Sequence, residues 1–383
     1  MTVTADCNSA ESVQNDLESY SDAFQQAMKE VQREELDVKG PAQEEITKPW
    51  QEPVDSAAMF NSLCSLEAAL EDLPQGTRAA YDEAMKRDPH LVELETPKER
   101  FLRILNFNHW AAAEAIASYW TKRVELFEDR AFRPLTIDGY GALSRSTAHS
   151  AQCGGFRFMG SDKSGRPVLF VDRSKFCCGC NHPGERVKVM FYFQHLMLLE
   201  SQVTNEHGYV MMMVMDSPEN SEFKDFPPPK KSFLQHIRHD RPFPFEAKAM
   251  HLIFLKKGRF FEESIPMWFR LIDRSKICQA RTIAHVPDTP QDLLLGVESY
   301  GLGLENIIPD LNQEPDRHSL FQWYADRLVR EADRYKDCES RLDGWCSDDM
   351  SSSSSEGDYE DCVSMCSASG ADSNNSDGGD ASE

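Results

Sequence analysis

The residues Tyr209-Val-Met-Met-Met-Val-Met215 constrain the fold more than any other stretch of this chain. A strand with one wet face alternates apolar and polar side chains. This run is apolar at odd and even positions alike, so both of its faces must be covered, as in the centre of a sheet flanked by other layers. Pro167-Val-Leu-Phe-Val171 is a shorter apolar run of the same kind, and residues 249–254 and 282–286 read as two further strands. Phe156-Arg-Phe-Met159 alternates like an edge strand, and Asp162 to Gly165 forms a turn into the next strand. Helical patterns at 185–204 and 264–274 separate the later strands. Strands alternating with helices predict an α/β fold, a largely parallel sheet with right-handed crossovers.

Ahead of the strands, residues 57–127 are helical throughout. Asn61, Ser62 and the run 63–70 begin one helix, and Leu73-Pro74-Gln-Gly76 ends it. Thr96-Pro97-Lys98-Glu99 predicts a helix start, with Thr96 as N-cap, Pro97 in the first turn and Glu99 as the reciprocal capping residue. Asn108 caps the next helix, whose Trp110, Ala113, Ile116, Ala117, Trp120 and Val124 repeat at helical spacing.

The charge of −23 belongs to the ends. Residues 1–56 hold 13 acidic and 4 basic residues, and residues 338–383 hold 12 and 1, which leaves the middle nearly neutral. No basic run compensates, so nucleic acid is excluded as a partner. The segment 338–383, with Ser351–Ser355 before Glu356, Asp358, Glu360 and Asp361, has too little apolar surface to order itself and reads as a solubilising tail before it reads as a site for an acid-directed Ser/Thr kinase or a protein partner. Residues 1–56 are largely disordered by the same criterion, except that Leu17, Tyr20, Phe24, Met28 and Val31 form one amphipathic stripe. The domains expected are therefore an acidic segment 1–56, a helical subdomain 57–132, an α/β domain 133–337 and an acidic tail 338–383.

No secretory leader is visible, and the longest apolar run is far shorter than the ~20 residues of a membrane span. The 11 cysteines are odd in number and scattered, as in a reducing cytosolic or nuclear setting. Cys177, Cys178, Cys180 and His182 have zinc-ligand chemistry, but a structural site wants a second distant pair, so a solvent-facing loop is expected rather than a metal. No G-x-S-x-G elbow, P-loop or H-E-x-x-H is present. Asp216, at a strand end, lacks a catalytic partner. Neither an enzyme nor a cofactor is expected.

Phe101-Leu-Arg-Ile-Leu-Asn-Phe-Asn-His-Trp110 and the following Ala-rich stretch to Tyr119-Trp120, then Asp162-Lys-Ser-Gly-Arg-Pro-Val168, Met211 to Asp216, Lys248-Ala-Met-His-Leu-Ile253 and Glu305-Asn-Ile-Ile-Pro309, occur in the order found in CRAL-TRIO proteins. The chain resembles that family over roughly residues 57–313. Asn312 and Gln313 stand where the family has a glycine pair, and Phe245 where phosphatidylinositol-handling members carry an acidic residue.

The resemblance implies a small helical subdomain, a sheet flanked by helices, and one hydrophobic or amphipathic lipid in an internal pocket. Met211, Met213 and Met215 would share one face of the central strand. Phe191, Leu252, Phe254, Ile265, Trp268, Phe269 and Ile283 would line the rest. Flexible Met side chains adapt to irregular ligands, and each buried methylene contributes about 0.8 kcal/mol. The helix 264–274 would be a gate that opens at a membrane, with Phe260 and Phe261 entering the interface and Lys256, Lys257 and Arg259 meeting lipid phosphates. These features predict a cytoplasmic protein, peripheral to membranes, that carries lipid between them. The alternative is a lipid-sensing adaptor whose acidic tails recruit a protein partner.

Overall fold

The computed structural model describes residues 55–172, 183–201, 208–214, 242–245, 247–254, 281–287, 289–302 and 317–339. The chain divides into two compact units, Phe60–Lys256 with Ser275–Glu383, and Met1–Met59 with Lys257–Arg274. Of the second unit, only residues 55–59 are described.

Five helices come first: α1 (Ser56–Asp72), α2 (Gln75–Arg87), α3 (Pro89–Glu95), α4 (Lys98–Ile104) and α5 (His109–Phe127). Helix α1 begins well before Asn61, where the sequence placed its start. Helix α5 packs on α2 and α4, burying Ala112, Ala113, Ile116, Ala117 and Trp120 on one stripe. The two ends of the expected stripe, Trp110 and Val124, are exposed. Asn108 caps α5 as expected, its Oδ1 accepting from the Ala111 N–H at 3.1 Å. Thr96 does not cap α4. Pro97 occupies that position, and the Thr96 hydroxyl turns inward to donate to the Val92 carbonyl at 2.8 Å.

After a loop and α6 (Arg145–Gln152) come β1 (Phe156–Ser161), β2 (Pro167–Asp172), α7 (Pro183–Glu200), β3 (Tyr209–Val214), β4 (Ala247–Ile253), β5 (Arg281–His285), α8 (Pro290–Glu298), α9 (Arg317–Arg334) and α10 (Lys336–Glu339). The five strands form one sheet in sequence order. β1 is antiparallel to β2 at the edge, and β2 to β5 are parallel. The α/β class and the mostly parallel sheet are as the sequence predicted.

The turn into β2 follows from one side chain. Asp162 Oδ1 accepts the N–H groups of Ser164 and Arg166, its Oδ2 pairs with the Arg166 guanidinium at 2.7 Å, and Gly165 takes the positive φ that closes the loop.

β3 is covered on both faces, as its sequence requires. Tyr209 and Met211 join a large core with residues of α5 and α7. Val210, Met212 and Val214 join a smaller core with Val168, Phe170, Ile253 and Leu293 and Val297 of α8. Each such side chain contributes about 1.5–3 kcal/mol when fully buried.

Candidate functional site

The parallel register decides which candidate residues share a face. Met211 of β3 pairs with Leu169 of β2 and Met250 of β4, and Met213 pairs with Val171 and Leu252. Met211, Met213, Met250 and Leu252 therefore stand on the side of the sheet that faces the large core. Met213 and Met250 are half-buried at its margin, whereas Leu252 is closed off entirely. Phe254 follows β4, buried, with its N–H donating to the His285 carbonyl at 2.9 Å.

Phe191, from α7, belongs to the same core as Met211. It lies 4.8 Å from Phe243, 5.3 Å from Tyr119 and 5.7 Å from Phe127, ring centre to ring centre. Phe243 leads on to Phe245 at 5.5 Å and Phe245 to Tyr209 at 6.1 Å. The result is a chain of six aromatic rings along the sheet face that carries the methionines. Sequence reasoning missed Phe243 and Met250 as members. The signal for Met250 was its period-2 relation to Leu252.

Ile283 does not join them. It pairs with His251 and so stands on the other face. There, His251 Nδ1 lies 2.8 Å from His285 Nε2, and Tyr300 presents its ring edge-on to both. Burial is the main reason both imidazoles are pushed down, His251 to about 3 and His285 to about 4. For His251, the neighbouring His285 and Arg166 add to the effect. The pair is neutral at ordinary pH, one ring donating and the other accepting.

Met215, Ile265, Trp268 and Phe269 lie outside the described residues, as do Lys256, Lys257, Arg259, Phe260, Phe261 and the Cys177, Cys178, Cys180, His182 group. Among the described residues, no cluster of three His, Cys, Asp or Glu groups is arranged to hold a metal. No described helix is long and apolar enough to cross a membrane.

Behind the aromatic chain lies a polar network. Glu95 and Arg123, both fully buried, form an ion pair. Glu95 Oε1 also accepts the Leu135 N–H at 2.7 Å, and Arg123 Nη2 donates to the Arg133 carbonyl. The Tyr119 hydroxyl bridges Glu95 at 3.3 Å and His195 Nδ1 at 2.9 Å. Burial, with Arg123, Arg334 and Arg327 nearby, holds His195 well below the usual imidazole range. It is thus a fixed neutral link rather than a proton carrier. A second buried carboxylate, Glu331 of α9, accepts from the Ile137 N–H at 2.7 Å, the Tyr192 hydroxyl at 2.6 Å and Arg327 Nε at 2.8 Å. The two carboxylates fasten successive parts of one loop, at Leu135 and Ile137, between α3 and α9.

A cavity of about 220 Å³ lies between that loop (Pro134, Thr136, Asp138, Tyr140) and Leu328, Glu331 and Tyr335. It contains none of the candidate residues and is smaller than the ~300 Å³ at which pockets for drug-sized ligands begin.

No family model matches the chain, and no curated protein matches it.

Proposed function

We propose that this protein binds one hydrophobic or amphipathic lipid against the methionine-bearing face of its sheet and carries it between membranes. The observation that carries the reading is the half-burial of Met213 and Met250 on a face otherwise closed by Leu252, Phe254 and the ring chain through Phe191. Flexible thioether side chains left partly open in an apolar interior are suited to packing against acyl or isoprenoid chains of irregular shape. The aromatic rings behind them give that surface a rigid floor. The reading requires no covalent chemistry. Entry and release are a population shift driven by membrane contact.

The test is mass spectrometry of the full chain purified from cells under native conditions, followed by uptake of phospholipid, sterol, tocopherol-like and retinoid-like ligands. A stoichiometric lipid, retained by Met213→Leu and lost from a folded Met213→Glu, is the expected outcome. A folded, lipid-free chain that takes up none of the offered ligands overturns it. Residues 57–337 should transfer lipid between vesicles without the acidic ends. Dependence on those ends would instead favour the adaptor.

A further inference from the structure

At the end of α7, two arginines pair with one partly exposed carboxylate and a third is bonded to the main chain beside it. Arg327 Nη1 pairs with Glu200 Oε1 at 2.5 Å, and Arg334 Nη2 approaches the same oxygen at 3.3 Å. Arg100 donates to the Leu198 carbonyl at 2.5 Å, two residues away. Glu331 takes the Nε of Arg327. Among the described residues, Arg327 and Arg334 share Glu200, Arg100 is favoured by Glu200 and by Glu99, which is itself paired with Arg103, and Glu331 is already committed to Tyr192 and the Ile137 N–H.

The hydrogen bonding is also incomplete. Arg327 Nη2 and Arg334 Nη1 are buried nitrogens without an acceptor, and the Arg327 side chain is only 3% exposed. A buried guanidinium N–H left unpaired is costly, so each such donor calls for an acceptor. Arg334 keeps a quarter of its side chain in solvent and Glu200 a third, so the cluster opens to water on the Glu200 side. Arg334 sits close enough to Arg100 to disfavour its charge, adding to the larger effect of burial, while Glu200 and Glu99 oppose both.

We propose that Arg100, Arg327 and Arg334 form a binding site for a phosphoryl anion, with the Glu200 carboxylate as the group it displaces. Guanidinium forks match the oxygens of phosphate in pairs, and a dianion supplies several acceptors where a carboxylate supplies two. The ligand's oxygens take Arg327 Nη2 and Arg334 Nη1. Its charge relieves the repulsion between Arg334 and Arg100, and Glu200 swings out to solvent. The site is separate from the methionine-bearing face and does not depend on lipid occupying that face. Its phosphoryl group belongs either to a free phosphate ester or to a lipid headgroup.

Titration calorimetry on the full chain at low ionic strength tests this, with inorganic phosphate and glycerol phosphate as free ligands. Vesicles of phosphatidylcholine with and without phosphatidic acid test the headgroup. Saturable binding of either kind is expected. Free esters alone or phosphatidic acid vesicles alone would name the source. Arg334→Gln, at a partly exposed position, should weaken binding about tenfold or more, the effect of one charged hydrogen-bonded pair, while Arg334→Lys recovers part of it. Glu200→Gln should tighten binding, because it removes the competing charge. A merely structural ion pair would not respond that way. No saturable binding to any of the four probes, or affinity unchanged in folded Arg334→Gln and Glu200→Gln, overturns the proposal.

Discussion

Glu95 and Arg123 in the helical region, and His251 and His285 on the far face of the sheet, are both pairs of titratable groups shut away from water, and they avoid an uncompensated buried charge in opposite ways. The first pair is an ion pair ringed by a hydroxyl, a main-chain N–H and a main-chain carbonyl. Burial pushes Arg123 down to about 9, which still leaves it charged at neutral pH. Among the described residues no anion raises the second pair, so both rings stay neutral and share one hydrogen bond. The contrast assigns different vulnerabilities: the helical region should break on losing a partner, and the far face on gaining a proton.

The largest effect expected is from Arg123→Met. It leaves the Glu95 carboxylate buried without its cation, which costs about 3–5 kcal/mol. Urea unfolding should show a large fall in midpoint, or no folded protein. If the double variant Arg123→Met with Glu95→Leu recovers much of that loss, the cost lies in the stranded charge rather than in lost volume. A double variant as unstable as the single one would refute the charge argument.

Acid should act next, and on the other region. The folded-state values of His251 and His285 lie below the 6.5 of a free imidazole, so below that pH the unfolded chain binds protons that the folded chain refuses. Their contribution is fully present above pH 6.5 and is lost as pH falls towards 4 and then 3. The slope is about 1.4 kcal/mol per pH unit for each proton. His195 adds to the same trend, so His285→Gln should flatten the loss between pH 6.5 and 4 without abolishing it. Stability measured across that range, if equal in slope for both chains, would remove the pair from the explanation.

A smaller effect separates the two carboxylates of the helical region. Glu331→Gln leaves one acceptor oxygen where Glu331 uses two, so it keeps an acceptor either for the Ile137 N–H or for the Tyr192 hydroxyl, and it removes the charge facing Arg327, which retains Glu200. A loss of about 1.5–3 kcal/mol is expected, below that of Arg123→Met. A larger loss would mean that Glu200 does not compensate Arg327 as its 2.5 Å contact indicates.

What the sequence made legible followed from period and turn chemistry. The run at Tyr209 called for a strand covered on both faces, and Asp162 to Gly165 called for a turn. Both are local requirements that tertiary packing has no means of reversing. The pairing of Glu95 with Arg123, or of His251 with His285, was not legible, because the partners are 28 and 34 residues apart and nothing local ties them together. Ile283 was expected among the lining residues, and its place on the other face was not legible for a related reason. An apolar residue in a strand buried on both faces has no polar neighbour to reveal which way it points, so only the register with His251 decides.

Thr96 carries the same lesson and the smallest effect. Read locally, Thr-Pro-Lys-Glu is a cap, and a cap tolerates Ser, Asn and Asp equally well. Instead the residue is buried, its hydroxyl donates to the Val92 carbonyl, and it accepts from the indole N–H of Trp120 at 3.2 Å. Thr96→Ser keeps that hydroxyl and loses one methyl, so about 0.8 kcal/mol is expected from thermal or urea unfolding. Thr96→Asp distinguishes the two roles. At a solvent-facing cap it would be neutral or favourable, whereas at this site it buries a carboxylate beside a carbonyl and should cost more than Thr96→Ser. Equal stability of the Ser and Asp variants would return Thr96 to the cap and leave the Trp120 indole without the partner assigned to it.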